Sequence, residues 1–298
     1  MGLCGVEMDK MKIDKVVIFG AGRMGSTIAI TMAMIGIKVI VRSRDNENKI
    51  LTLVGSRLTK AVEKGELTVD YKKEILKNIS GTTNINIAAE ADLILETIIE
   101  NFEEKKKLFK QLDLLCSPET IFATNTSALS IKRLSSVTNR PDRFLGMHFF
   151  NPADKMKLVE IIKTDRVSEL VVREIKKFVK KLNKEPIIIK DIPGFVVNRL
   201  LFPVINEAAN LVYKGVISPE DLDKAALFGL NHPVGPLRLA DLIGLDVCVA
   251  VLSSIYKSTK EIKYAPSLIL LQKIKAGQLG KKTGRGFYNY SRIKKEGK

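Results

Sequence analysis

Gly20-Ala21-Gly22-Arg23-Met24-Gly25 places three glycines at a spacing that can cradle a pyrophosphate. In such a turn the first glycine permits the tight bend, the second lets the phosphates approach the backbone, and the third lets helix and strand pack closely. The helix that follows offers N–H donors and a dipole favourable to anions. Gly20, Arg23, Met24 and Gly25, with Gly22 at their centre, are therefore candidate cofactor contacts. Glycine-rich turns also serve as plain connections, and the motif gains meaning only between a strand and a helix. A second candidate is His148, in His148-Phe149-Phe150-Asn151-Pro152, with Glu160 closing Met156-Lys157-Leu158-Val159-Glu160. A turn at 151–154 would bring them together. Imidazole titrates near neutrality, and a carboxylate partner orients it and stabilises its protonated form, as proton transfer requires. Spacing alone favours a plainer reading, an ordinary packed histidine.

The elements around these residues set the context. The apolar run 16–19 leads directly into the glycine turn, 26–35 is rich in Ala, Met and Ile, and 38–41 is again apolar. That order is a βαβ unit opening on the glycine motif. The stretch 45–78 has helical spacing on both sides of Gly65, and predicted strands at 92–95 and 121–123 flank a predicted helix at 103–115. Alternation of this kind indicates a mostly parallel sheet covered on both faces. Strands are expected at 144–150, 157–162 and 186–190, with a basic helix over 168–182 before the last. Asp191-Ile192-Pro193-Gly194 then breaks the pattern. Beyond it only helices are predicted, over 195–213, 219–228, 237–256 and 266–276. The fold class is α/β, a Rossmann-type doubly wound sheet followed by an all-α C-terminal domain. The expected organisation is a loose tail at 1–12, a dinucleotide-binding domain at 13–192 and a helical domain at 193–298.

Composition narrows the function. A chain of 298 residues, 45% hydrophobic and 28% charged, can fold and bury a large core in about two domains. Three cysteines far apart and two histidines suggest neither a disulfide framework nor a metal site, so no metal is expected. Met1 to Lys15 lacks the apolar core of a secretory signal, and no apolar run reaches the roughly 18 residues of a membrane helix. A cytoplasmic protein without a membrane partner is expected. The formal net charge of +16 points to polyanions. Without a nucleic-acid module or an aromatic platform, Lys-rich runs such as Lys105-Lys106-Lys107 read as solvated helix faces, and no nucleic acid is expected.

At the end of the second predicted strand a carboxylate would bind the adenosine ribose of NAD. Ser43 stands there, between Arg42 and Arg44. A hydroxyl and two guanidinium groups offer donors and positive charge to a 2′-phosphate, so NADP(H) is expected over NAD(H). The plainer alternative leaves both arginines in solvent.

Beyond these local features, the sequence resembles the short-chain L-3-hydroxyacyl-CoA dehydrogenases, in particular the 3-hydroxybutyryl-CoA branch, over nearly all of 13–290. The matching motifs are GAGRMG at 20–25, ETIIEN at 96–101, TNTSALSI at 124–131, HFFNP with MKLVE within 148–160, DIPGFVVNR at 191–199, HPVGPLRLADLIGLD at 232–246 and GKKTGRGFY at 280–288. The resemblance implies interconversion of 3-hydroxyacyl-CoA and 3-oxoacyl-CoA with His148 and Glu160 as the catalytic pair. It implies that Ser127 and Asn198 hold the substrate's 3-oxygen and thioester, and that Lys64 meets coenzyme A. Glu100, Lys105, Asn125, Asn151 and Lys282 match positions that contact the cofactor, Asn151 also lying toward substrate. It further implies a homodimer through the helical domain. Read locally, Ser127 and Asn198 would be turn or capping residues and the lysines solvated charges. The chain departs from the family at Ser43, where most members carry Asp, at Ala153-Asp154-Lys155, where a Pro-containing turn is usual, and at Arg238, where many have Glu. The rival functions are a dehydrogenase of a free hydroxy acid, of the gulonate dehydrogenase and lambda-crystallin type, and a cofactor-binding structural protein without activity.

Overall fold

The computed structural model describes residues 13–290, and the segment expected as a loose tail, with Cys4, lies outside them. The chain divides into two compact units at Asp191 and Ile192. The first unit opens with β1 (Lys15–Phe19), α1 (Arg23–Ala33) and β2 (Lys38–Arg42), then α2 (Lys49–Glu63), α3 (Val69–Lys77) and β3 (Ile79–Thr82). It continues through β4 (Leu93–Glu96), α4 (Phe102–Leu115), β5 (Ile121–Thr124), α5 (Ile131–Ser135), β6 (Phe144–Phe149), β7 (Leu158–Lys163), α6 (Glu169–Lys181) and β8 (Glu185–Lys190). One sheet holds these strands in the order β3-β2-β1-β4-β5-β6-β7-β8. Chain order reverses between β1 and β4, so the connections leaving those strands diverge and open a crevice at the carboxyl ends. β1, β4 and β5 are buried nearly throughout, as parallel strands covered on both faces must be. Phe109 on α4 packs edge-on against Phe144 on β6, with ring centroids 4.7 Å apart.

β6 and β7 are antiparallel, whereas every other neighbouring pair runs parallel. The connection between them is too short for a crossover helix, and a short return gives an antiparallel pair. Its register sets His148 directly opposite Glu160. The sequence reading ends the 45–78 stretch in a helix and misses β3. Gly81 has poor intrinsic strand preference, and the strand exists because it pairs with β2. A Cβ at Gly81 would lie 1.8 Å from the Glu47 carbonyl oxygen, which explains the glycine.

The second unit contains α7 (Val197–Tyr213), α8 (Pro219–Gly229), α9 (Pro236–Ile243), α10 (Leu245–Thr259) and α11 (Leu268–Lys275). Its core gathers Phe202, Ile205, Leu237, Cys248, Leu252 and Tyr264. α8 starts on a Ser218 side chain that accepts from Asp221 N, with Pro219 at the first helical position. α7 begins at Val197 rather than at Phe195, because Gly194 and Phe195 take φ of +77° and +50°. The single helix expected over 237–256 is two, bent by 97°. Gly244 separates them at φ +107°, a conformation open to glycine at little cost. Among the described residues no single helix is long and apolar enough to cross a membrane.

Candidate active site

The glycine turn divides its three tasks as the motif requires. Gly20 takes φ +124°, and Thr97 donates its hydroxyl to the carbonyls of Phe19 (3.3 Å) and Gly20 (3.0 Å), pinning the turn. A Cβ on Gly25 would come 1.9 Å from the Gly20 carbonyl oxygen, so the α1–β1 approach tolerates only glycine. A Cβ on Gly22 would meet nothing within 4 Å. That position therefore faces open space, beside a helix whose first residues, Arg23 and Met24, leave their N–H groups outside the helical ladder. Free N–H donors at a helix start are what a diphosphate would need.

At the end of β2 the Ser43 side chain is nine-tenths buried and turned into its own loop. Its hydroxyl donates to the Asn46 carbonyl and accepts from Asn46 N. The sequence reading offers that hydroxyl as a donor to a 2′-phosphate; the structure commits it to the turn. Arg42 donates through Nε to the Thr83 carbonyl (3.3 Å), and Arg44 is exposed. Burial, with the neighbouring Arg44 charge, lowers the Arg42 guanidinium from its ordinary value.

His148 is 5% exposed and Glu160 0%. The His148 Nδ1 lies 2.7 Å from Glu160 Oε2, and its Nε2 lies 3.2 Å from Ser127 Oγ. An ionised carboxylate only accepts, so against one Nδ1 carries the hydrogen, and Nε2 of a neutral ring is then an acceptor facing the Ser127 hydroxyl. The antiparallel register produces this pair. Residues directly opposite project to the same face of a sheet. Phe150 stacks at a tilt on the imidazole, centroid to centroid 4.7 Å.

Ser127 lies just beyond β5 in a loop held from below. Glu100 Oε1 accepts from Ser127 N (3.0 Å), Ala128 N (3.0 Å) and the Thr126 hydroxyl. Asn125 Oδ1 accepts from Phe149 N (2.8 Å), tying the same loop to β6 beside His148. Lys105 does not form a solvated helix face, contrary to the sequence reading. It is wholly buried, with Nζ 2.6 Å from Glu96 Oε1 and 3.4 Å from Glu100 Oε2. Its site on α4 faces β4, where desolvation leaves the ammonium dependent on those carboxylates. Asn151 is exposed and precedes a cis peptide bond to Pro152. Lys64 is exposed at the end of α2. Asn198 and Lys282 belong to the second unit. Asn198 sits in the first turn of α7, and Lys282 Nζ contacts both oxygens of Asp246 at 2.6 and 2.7 Å.

Residues 15–192 match the model of the 3-hydroxyacyl-CoA dehydrogenase NAD binding domain, and residues 194–290 match the C-terminal domain of the same family. The chain belongs to the 3-hydroxyacyl-CoA dehydrogenase family. It is 45% identical over 280 residues to a 3-hydroxybutyryl-CoA dehydrogenase of Clostridioides difficile, covering 93% of this chain and 100% of that one. It is 43% identical to a probable 3-hydroxybutyryl-CoA dehydrogenase of Bacillus subtilis, over 94% of this chain and 98% of the relative. The crystal structure of (S)-3-hydroxybutyryl-CoA dehydrogenase from Ralstonia eutropha superposes with a TM-score of 0.90 at 41% identity, covering 94% of this chain and 100% of that one. The first unit is thus the nicotinamide-nucleotide-binding domain of an oxidoreductase. Sequence reasoning named Glu100 within ETIIEN but passed over Glu96 and Thr97 of the same segment, and Thr124 and Thr126 of the next. Their signal was present: polar residues at the ends of otherwise apolar strands need partners.

Proposed function

We propose that this chain interconverts (S)-3-hydroxyacyl-CoA and 3-oxoacyl-CoA, with 3-hydroxybutyryl-CoA and acetoacetyl-CoA foremost. The observation that carries the reading is the hydrogen-bonded series Ser127, His148, Glu160, which leaves a basic Nε2 beside a hydroxyl donor. In oxidation His148 takes the proton of the 3-hydroxyl while Glu160 holds Nδ1–H and stabilises the cationic ring; in reduction the imidazolium returns that proton. Nicotinamide, when bound, supplies the hydride acceptor or donor. Ser127 stabilises charge developing on the 3-oxygen, a task the family resemblance extends to Asn198.

Gly20, Gly22, Arg23, Met24 and Gly25 hold the pyrophosphate in this reading, and Glu100, Lys105, Asn125, Asn151 and Lys282 serve the cofactor side. Lys64 takes a phosphate of coenzyme A. Residues 13–192 form the dinucleotide domain, and residues 193–298 serve substrate binding and dimerisation. NADP(H) is preferred over NAD(H), with Arg44 and the remaining Arg42 nitrogens, rather than the Ser43 hydroxyl, meeting the 2′-phosphate. A homodimer through the second unit is supported by apolar side chains left in solvent there, among them Leu200 at 68% exposure and Ile262 at 78%.

The test is oxidation of NADPH and of NADH followed by absorbance, with acetoacetyl-CoA and with free 3-oxo acids. Turnover with the thioester and none with the free acid is expected, faster with NADPH. Turnover confined to a free acid, or none with either, would reject the reading, and a large preference for NADH would reject the cofactor assignment alone. Light scattering should give the mass of two chains.

A further inference from the structure

Glu96 closes β4 as a fully buried carboxylate whose two oxygens are both used. Oε1 accepts from Ile98 N (2.6 Å) and from Lys105 Nζ (2.6 Å), and Oε2 accepts from the Thr124 hydroxyl (2.5 Å) on the neighbouring strand. The pairing of β4 with β5 puts Glu96 beside Thr124. Lys105 in turn reaches Glu100, which receives the amides of Ser127 and Ala128 on its other oxygen. The series therefore runs Glu96, Lys105, Glu100, the 126–128 loop, Ser127 and His148.

We propose that Glu96 is a positioning residue for the reaction, fixing the Lys105 ammonium so that Glu100 holds the Ser127 loop in register with His148. The proposal rests on the reading of Ser127 and His148 given above. Its physical basis is the direction of each pull. A buried ammonium must have a carboxylate, and Lys105 has two within reach, one wholly buried and one 41% exposed. With Glu96 ionised, Lys105 is anchored at 2.6 Å and touches Glu100 only at 3.4 Å, leaving Glu100 to the loop amides. With Glu96 neutral, Lys105 turns to Glu100 as its sole counter-charge and draws it off those amides. Burial pushes the Glu96 carboxyl upward against the pull of Lys105, so its ionised form depends on the ammonium and the two other donors that hold it. Apolar replacements of buried ion pairs are often neutral or stabilising, so packing alone does not account for charge here.

The experiment is a double-mutant cycle of Glu96→Gln with Ser127→Ala, measured as kcat, KM for acetoacetyl-CoA and Kd for the nicotinamide cofactor. Displacing an oriented group by about 1 Å can cost about 100-fold in rate, so Glu96→Gln should lower kcat by at least about 10-fold with KM for acetoacetyl-CoA held within about threefold, and any change in cofactor Kd should be the same in both backgrounds. In the Ser127→Ala background the same change should cost less than about twofold, since the group it positions is gone. Equal losses in both backgrounds, or kcat unchanged in Glu96→Gln alone, would overturn the proposal. A Ser127→Ala protein with undiminished kcat would instead reject the underlying role of Ser127. If Glu96→Gln yields no folded protein, the cycle is run with Glu96→Asp, which keeps the buried charge but shortens its reach to the Lys105 ammonium and carries the same expectation.

Discussion

In the first unit the buried carboxylates of Glu96 and Glu160 face Lys105 and His148, whereas in the second those of Asp223 and Asp241 face backbone amides. Asp223 accepts from Leu237 N and Arg238 N, each at 2.9 Å, and from the Tyr288 hydroxyl. Asp241 accepts from Phe287 N and Tyr288 N, each at 2.9 Å. The second pair is cradled by glycine: a Cβ on Gly235 would stand 2.1 Å from Asp223 Cγ, and one on Gly286 would stand 1.9 Å from Asp241 Oδ1. The burial is alike and the partners differ. A side-chain partner can gain or lose a proton, so its carboxylate can take part in proton transfer or steer a group that does. A backbone amide cannot, and burial pushes the Tyr288 hydroxyl further above its usual value, so these two carboxylates fasten loops. Partner chemistry, not burial, separates the two classes.

The sharpest way to break this comparison is His148→Gln. It should lower kcat by about 100- to 10,000-fold while leaving thermal unfolding unchanged within a few degrees, by assay and calorimetry. Near-normal turnover would place His148 in the amide-type class, as a structural residue. The converse test is Asp241→Ala. Two part-buried amides lose their acceptor, each orphaned group costing about 1–3 kcal/mol, so urea unfolding should show a loss of about 2–6 kcal/mol. A wild-type stability would remove Asp241 from the fastening class.

The same aspartate gives a signed pH effect. Burial pushes the Asp241 carboxyl above its usual value despite its amide donors. The folded state therefore holds that proton more tightly than the unfolded chain does, and the contribution of Asp241 to stability falls as pH rises from the ordinary carboxylate range through the raised value. The gap in urea midpoint between wild type and Asp241→Ala should be wider at low pH than at neutral pH, and the opposite trend would contradict the shift.

A smaller effect is expected at Arg57. Its guanidinium grips both oxygens of Asp154 at 2.8–3.1 Å, fastening α2 to the loop after His148. The pair is partly exposed, so Arg57→Ala should cost about 0.5–1 kcal/mol in urea unfolding. No change at all is expected from alkylation. Burial pushes the thiols of Cys116 and Cys248 up to about 11 and about 12, so iodoacetamide at pH 8 should leave both unmodified in the folded protein by mass spectrometry. Rapid labelling of either would show its thiol to be open.

Much of the site was legible because it follows from local rules. The glycine turn between an apolar strand and a helix carries its own geometry, and Gly20, Gly22 and Gly25 behave as that geometry requires. A turn at 151–154 made a meeting of His148 and Glu160 readable, but spacing alone favours a packed histidine, and their pairing as a catalytic couple came from the family resemblance; the antiparallel register that sets them opposite is a property of the sheet. The misses have physical reasons too. Lys105 lies in a run of three lysines on an amphipathic helix, and nothing local says that one of them meets a carboxylate at a strand end. Gly244 divides what periodicity presents as one continuous helix, since a single glycine is tolerated inside a helix pattern at modest cost.

Sequence alone determined the alternation of strands and helices, the phosphate-ready turn and the family, because these depend on residue type and order along the chain. Tertiary structure decided which charges are buried and whom they face: Glu96 against Lys105, Ser43 against its own loop, Asp241 against the amides beyond Gly286. Burial is set by segments distant in the chain, and only when they pack does the loss of water compel each polar group to find the partner that gives it a role.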